Sequence, residues 1–389
     1  MPVSTHDRQI LRDLAAQMME IAADPINDER RRLFDTLNQV KRTRPLVTIF
    51  QEPWNEMDVD GELALHCEDP AFHWVEGDFR RTLYKWRHMQ GDMVVGGVFT
   101  VPLAIHDTGF GINEDVDIAT TDATNDVVSR HFHIQIASEA DIHKIRMPEI
   151  SHDPAATERN VELWSDILNG VMPVQTSGVG GFWFAPWDEL VRWTGVEEIL
   201  LAMQERPDFV HAAIGLLVDA WMVRLDQLED QDLLACPAME MWGVGAAQIF
   251  SAVSPAMHEE FALRHEARWF ERFGFNYYGC CEPLDLKIDI LRRNIPRLRR
   301  ISMSPFIDFD RAVRNMRDEF IFAWKPNPAI FAGDEWARDH IRADMVEKME
   351  KARGCVIEII MKDISTVRYH PQRLWEWATI ATEVAADFA

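Results

Sequence analysis

The sequence predicts an α/β protein whose parallel strands close into a (β/α)8 TIM barrel, with a helical extension before it and a long insertion after the second strand. Two observations carry this expectation. Eight short apolar or β-branched runs recur along the chain, and amphipathic helical patterns separate most of them, the alternation that builds a parallel sheet. Eight is also the strand number that closes such a barrel. An open doubly wound sheet is the alternative. No GxGxxG follows an early strand, which weakens its nucleotide-binding version.

Residues 5–41 read as helix, because Ile10, Leu11, Leu14, Met18, Met19 and Ile21 recur at helical spacing, followed by Leu33, Leu37 and Val40. Pro45 ends this section, so residues 1–44 form the extension and 45–389 the barrel. Leu46-Val47-Thr48-Ile49-Phe50 is the first buried strand, a helix carrying Phe79, Leu83 and Trp86 follows, and Met93 to Phe99 is the second strand. Further strand-like runs lie near 173–178, 234–240, 275–280, 298–303, 319–325 and 356–361. The clearest helical patterns between them are 196–227, 255–273, 308–317 and 335–353. Segment 101–172 is too long for a simple strand-to-helix connection. With its polar stretch 113–130 and a short run at 143–148, it reads as an elaboration over one barrel mouth.

Composition narrows the function. The 389 residues hold 40 Lys+Arg against 64 Asp+Glu, a formal net charge of -24. A polyanion would be repelled, and basic stretches such as Arg292 to Arg300 are short, so nucleic acid is not an expected partner. No apolar run is long enough to span a bilayer, and the N-terminus lacks the pattern of a signal peptide. With five cysteines, an odd number, a reducing cytoplasmic location is expected.

In a barrel the chemistry sits at the C-terminal ends of the strands. Adjacent Cys280 and Cys281 close the fifth run and are the sharpest local signal. Successive strand residues face opposite ways, so one of them points into the mouth. A thiolate there suits zinc, while two small buried hydrophobes are the plain alternative. Glu240 at the end of the fourth run, His258 behind Ser254-Pro255 and Cys280 would be neighbours at the mouth. Such an N/O/S set leaves one metal position open for substrate. Taken singly, a Glu or His is more often a surface or capping residue. Trp54, Trp183 and Trp242 lie near predicted strand ends, where aromatics suit a planar ligand. His106 follows the second run, Tyr278 precedes the cysteines, and Lys325 ends the seventh run, where its cation could fix an anionic group. Ser177-Gly178-Val179-Gly180-Gly181 is a tight turn or a phosphate cradle, but lacks the Lys-Ser/Thr ending of a Walker A motif.

The order of these motifs resembles the uroporphyrinogen decarboxylase-like superfamily from about residue 45 to the C-terminus. The stretches that carry the likeness are Ser254-Pro255 through Cys281, Gly178 through Trp221, and Lys325-Pro326-Asn327-Pro328-Ala329. The resemblance implies a (β/α)8 barrel and one of two chemistries: cofactor-free tetrapyrrole decarboxylation, or zinc-dependent methyl transfer involving a corrinoid protein or a thiol. The decarboxylase's Arg-Gln-Ala-Gly-Arg-Tyr stretch is replaced by Gln51-Glu52-Pro53-Trp54-Asn55, and its aspartate after the second strand by Phe99-Thr100-Val101. The methyltransferase branch is more similar. Its His-x-Cys reads Tyr278-Gly279-Cys280 here, so Cys280 matches the cysteine, Tyr278 replaces the histidine, and His258 would supply the imidazole. Cys281 or Cys355 could take the place of Cys280.

The resemblance therefore implies a zinc-dependent O-demethylase component, with Glu240, His258 and Cys280 as metal ligands and the other named residues around the substrate. The substrate would be a small methoxylated, aromatic molecule. No Asp-x-His-x-x-Gly is present, so the corrinoid (cobalamin) would sit on a separate partner protein. A homodimer is left open. The alternative activity is a metal-free decarboxylase or lyase of the same fold, with Lys325 and Arg368 lining its pocket. A third reading is a barrel that binds a ligand without turnover.

Overall fold

The computed structural model describes residues 3–58, 60–120 and 128–388. The fold is α/β with six principal parallel strands, divided between two compact units.

Unit 1 comprises residues 1–101, 155–176 and 317–389. Its sheet places the strand Val356–Met361 between Leu46–Ile49 and Ile321–Trp324, all parallel. Every residue of the middle strand is buried, as expected for a parallel strand covered on both faces. Thr48 pairs with Ile360 and Ala323 with Glu358. The pleat thus puts Thr48, Glu358 and Lys325 on one face and the apolar Val47, Ile359 and Trp324 on the other. The N-terminal helix Thr5–Ala22 begins at Ser4, whose side chain accepts the Asp7 N–H, a standard N-cap. Its buried Leu11, Leu14, Ala15 and Met18 form one stripe in a core with Phe79 and Leu83 of the helix His73–His88.

Asp92 closes the free edge of the first strand. Its carboxylate accepts the Val47 N–H at 2.7 Å and two Arg44 guanidinium N–H groups, and the Asp92 N–H donates to the Val47 carbonyl at 2.7 Å. Asp92 is 1% exposed, so Asp92→Ala leaves a buried donor and a cation without their acceptor. We expect a loss of about 3 kcal/mol in urea unfolding.

Unit 2 comprises residues 102–154 and 177–316. Its sheet places Phe275–Tyr278 between Trp242–Gly245 and Leu298–Met303, again parallel. The helices Pro186–Thr194, Val196–Glu205 and Pro207–Asp230 precede this sheet, and the chain segment 255–270 crosses between its first two strands. Two antiparallel pairs, Ile105–Asp107 with Ile150–His152 and Val116–Ala119 with Ser129–Phe132, occupy the inserted segment. Residues 121–127 of its polar stretch lie outside the described residues.

Six of the eight expected strands occur where the sequence places them. The others differ, and no closed eight-stranded sheet forms among the described residues. The second run becomes a strand only at Phe99–Pro102, which pairs with Val174–Ser177 in a separate two-stranded sheet. The run 234–240 is not a strand; it contributes one bridge, Leu234 to Val179. The fourth strand is instead Trp242–Gly245. Its two glycines give it low strand propensity, but they are needed for close packing. A Cβ on Gly243 would lie 2.2 Å from Asn276 Oδ1, and one on Gly245 would lie 2.5 Å from Phe270 Cζ. No helix among the described residues is long and apolar enough to cross a membrane.

Candidate active site

The C-terminal end of the Phe275–Tyr278 strand gathers the strongest cluster of buried chemistry in unit 2. Asn276 and Tyr278 face inward and are fully buried, whereas Phe275 and Tyr277 are partly exposed. After Tyr278 the chain turns at Gly279, with φ of 100°. A Cβ there would meet Leu284 Cδ1 at 2.4 Å, so both the backbone angle and the space demand glycine.

This turn fixes Cys280. Its N–H donates to Glu282 Oε2 at 2.8 Å, and its carbonyl accepts from the Ser302 hydroxyl at 2.7 Å. Glu282 is fully buried, and its other oxygen accepts the Ala247 N–H just beyond the neighbouring strand. One carboxylate therefore ties two strand ends together. The Cys280 and Cys281 sulfur atoms lie 3.4 Å apart, and Cys281 is the more exposed of the two. Lys287, also buried, donates to the Phe250 carbonyl at 2.5 Å. Burial lowers its pKa to about 8, opposed by the negative charges of Glu282 and Asp285.

Tyr278, two residues before Cys280, is the middle of a buried chain of three polar side chains. The Tyr278 hydroxyl lies 2.8 Å from His258 Nε2 and donates to Glu266 Oε2 at 3.3 Å. All three residues are fully buried. Burial pushes the Glu266 carboxyl up to about 8, with Tyr278 hydrogen bonding opposing the shift. Burial also holds His258 well below the usual imidazole range, reinforced by Lys287, and raises the Tyr278 phenol well above its ordinary value. At neutral pH the chain thus carries a protonated carboxyl, a phenol and a neutral imidazole.

Local helix geometry assembles this chain. The segment starts as an α-helix over Pro255–His258, passes through a π-helical turn over Glu259–Leu263, and returns to α-helix over Arg264–Phe270. In an unbroken α-helix, His258 and Glu266 would point about 80° apart, because eight residues exceed two turns. The π turn takes up one extra residue and brings both onto nearly the same side. His258 Nδ1 and Glu266 Oε1 end with no hydrogen-bond partner. Buried polar atoms without a partner are a minority in folded proteins and call for an explanation, of which a catalytic role is one.

The structure brings together His258, Tyr278 and Cys280 in this one neighbourhood. It separates Glu240 and Trp242 from them, which corrects the sequence expectation. Because the strand begins at Trp242, both residues lie at its N-terminal end, opposite Phe275. Glu240 is exposed there, and Trp242 packs on Phe275 with the Arg300 guanidinium over its ring. No group of three or more His, Cys, Asp or Glu side chains among the described residues could hold a metal ion. The ligand set Glu240, His258 and Cys280 therefore does not fit zinc.

Trp183 is 49% exposed and precedes Phe184, which bridges to Gly245 at the C-terminal end of that strand. His106 is exposed in the inserted antiparallel pair, opposite Ser151. Two expected residues belong to unit 1. Trp54 opens a short helix and packs edge-on against Tyr84, and Lys325 is buried just after the Ile321–Trp324 strand. Cys355, the alternative cysteine, precedes Val356 and so lies at the N-terminal end of its strand.

Glu266, Glu282 and Lys287 were not among the residues singled out from sequence. A signal existed for Glu282, which stands two positions after Cys280. The spacing of eight between His258 and Glu266 hides their proximity, since regular helices pair positions three, four or seven apart.

No family model matches the chain, and no curated protein matches it either. Among solved structures, the chain is similar to a methyltransferase from Methanosarcina mazei, with a TM-score of 0.53 and 11% identity. That match covers 90% of this chain and 96% of the other. An α/β fold is therefore shared with that methyltransferase along nearly the whole of both chains.

Proposed function

We propose that the chain is a methyltransferase whose chemistry is centred on the strand end from Tyr278 to Glu282. The reaction would move a methyl group from a small methoxylated aromatic molecule to the corrinoid of a separate protein, in a cytoplasmic setting. The observation that carries this reading is the buried His258–Tyr278–Glu266 chain, whose Tyr278 stands two residues before Cys280 at the same strand end. The shared fold with a solved methyltransferase supports it, as does the match of Cys280 to the cysteine of the resembled branch. A barrel closed beyond the observed strands, and membership of that branch, are part of the same proposal.

Breaking a methyl–oxygen bond leaves negative charge on oxygen, which a proton or a metal ion can neutralise. The proposed zinc ligands do not come together, so no step is assigned to zinc. The partner's corrinoid would supply the nucleophile that accepts the methyl group, and no residue of this chain is assigned to hold it.

The residues present can supply the proton. The same three heavy-atom positions accommodate two hydrogen arrangements. In one, Tyr278 donates to Glu266 and accepts from His258 Nε2, leaving Nδ1 as an acceptor. In the other, the Glu266 carboxyl donates to Tyr278, Tyr278 donates to His258 Nε2, and Nδ1 carries the hydrogen. A substrate oxygen reaching Nδ1 in the second arrangement would take that proton, and Glu266 would replenish it through Tyr278. His258 is fully covered, so substrate entry has to open this corner. Cys280, fixed through both backbone groups, would form the adjoining wall.

The test is anaerobic methyl transfer to reduced cobalamin from a panel of methoxylated aromatics. The reading predicts methylcobalamin and the matching phenol in equal amounts. Tyr278→Phe should slow transfer about 100-fold, the usual scale for loss of general acid catalysis. Glu240→Ala should stay within about twofold of the unaltered chain. Absence of transfer from every methoxylated compound, or equal loss in both variants, rejects this assignment.

A further inference from the structure

Unit 1 contains a cavity of about 350 Å³ beside the C-terminal half of the Leu46–Ile49 strand. We propose that it is a binding site for a small, uncharged aromatic molecule. This inference is independent of the methyl-transfer reading.

The cavity wall is mainly apolar: Phe34, Ile49, Phe50, Met89, Met93 and Val94. Two phenyl rings and two thioethers suit a flat ring, through offset aromatic and sulfur–aromatic contacts. Phe50 is 51% exposed and Val94 36% exposed, so these two residues mark the side open to solvent. The volume lies at the lower end of the range for small-molecule pockets, enough for a one- or two-ring compound.

The charges around the cavity explain why the ligand should be neutral. Lys85 and Asp92 line it, but each is already engaged. Lys85 donates to the Ile49 carbonyl at 2.6 Å and pairs with the buried Glu52 carboxylate. Asp92 is held by Arg44 and the Val47 N–H. Arg30, behind the wall, donates to the Met93 carbonyl and Gln90 Oε1 and lies over the Trp86 ring. An ionic ligand would lose hydration here without meeting an uncommitted opposite charge. A neutral ligand loses little, and the Thr82 hydroxyl at the wall offers a partner for a hydroxyl or ether oxygen.

Calorimetry on the full chain at pH 7 with three probes of one ring system tests this. The probes are neutral 2-naphthol, anionic 2-naphthoate and cationic 2-naphthylmethylammonium. Naphthol should bind with a Kd on the order of 0.1 mM, a typical efficiency for a ligand this small. Each ion should bind at least tenfold more weakly. Met93→Trp, which fills the cavity, should weaken naphthol binding at least tenfold while circular dichroism stays unchanged. If that variant does not fold, Thr82→Trp fills the opposite wall and carries the same expectation. Equal or tighter binding of either ion, or naphthol binding that survives in a folded cavity-filled variant, overturns the proposal.

Discussion

Replacing Glu282 with alanine should lower the stability of the protein by about 4 kcal/mol. The carboxylate accepts the N–H groups of Ala247 and Cys280 in a fully buried position. Removing it leaves two buried donors unpaired, each worth about 1–3 kcal/mol. It also withdraws a negative charge that supports the buried Lys287 cation. Glu282→Gln keeps one good acceptor and turns an N–H pair toward the other donor. About half the loss should return in that variant. Urea unfolding of both variants, followed by tryptophan fluorescence, reads the difference. Equal stability of alanine variant and unaltered chain would mean that the two strand ends are held by other contacts.

The second large effect is a pH dependence traced to Glu266. Its pKa is about 8 in the folded protein, against an ordinary value of 4.5. The folded state therefore holds this proton over a window in which the unfolded chain has released it. Its contribution is fully present below about pH 4.5 and is lost as pH rises through 8. A shift of that size amounts to about 5 kcal/mol at most. Glu266→Gln cannot ionise, so the difference in stability between unaltered chain and variant should change by several kcal/mol between pH 5 and pH 9. The variant gains relative stability at the alkaline end. Comparing the two chains cancels the titration of His258 and Lys287, which both retain. Parallel stability profiles over that range would show that Glu266 is not a buried, protonated acid.

Much of this architecture is legible in the sequence, because runs such as Leu46–Phe50 and Val356–Met361 are dense in β-branched residues and bounded by helical patterns. The position of Cys280 at a strand end is legible for the same reason. The fourth strand is not, since Trp242-Gly243-Val244-Gly245 owes its conformation to tertiary packing against Phe270, Phe273 and Asn276. Propensity favours the apolar run just before it. That displacement by a few residues moves Glu240 and Trp242 from one end of the sheet to the other. The site is legible only in part. His258 stands out beside Ser254-Pro255, but its partner Glu266 depends on a π-helical turn that no simple periodicity reveals. Glu282 acts through backbone N–H groups, whose positions follow only from the turn at Gly279.

The most direct test of the central claim is the rate of methyl transfer to reduced cobalamin by the unaltered chain and by Tyr278→Phe, measured side by side. If the buried His258–Tyr278–Glu266 chain delivers the proton, the unaltered enzyme forms methylcobalamin and loses rate above about pH 8, where Glu266 ionises. The variant should then be about 100-fold slower and without that alkaline limb. Full activity and an unchanged pH profile in a folded Tyr278→Phe protein would contradict the account.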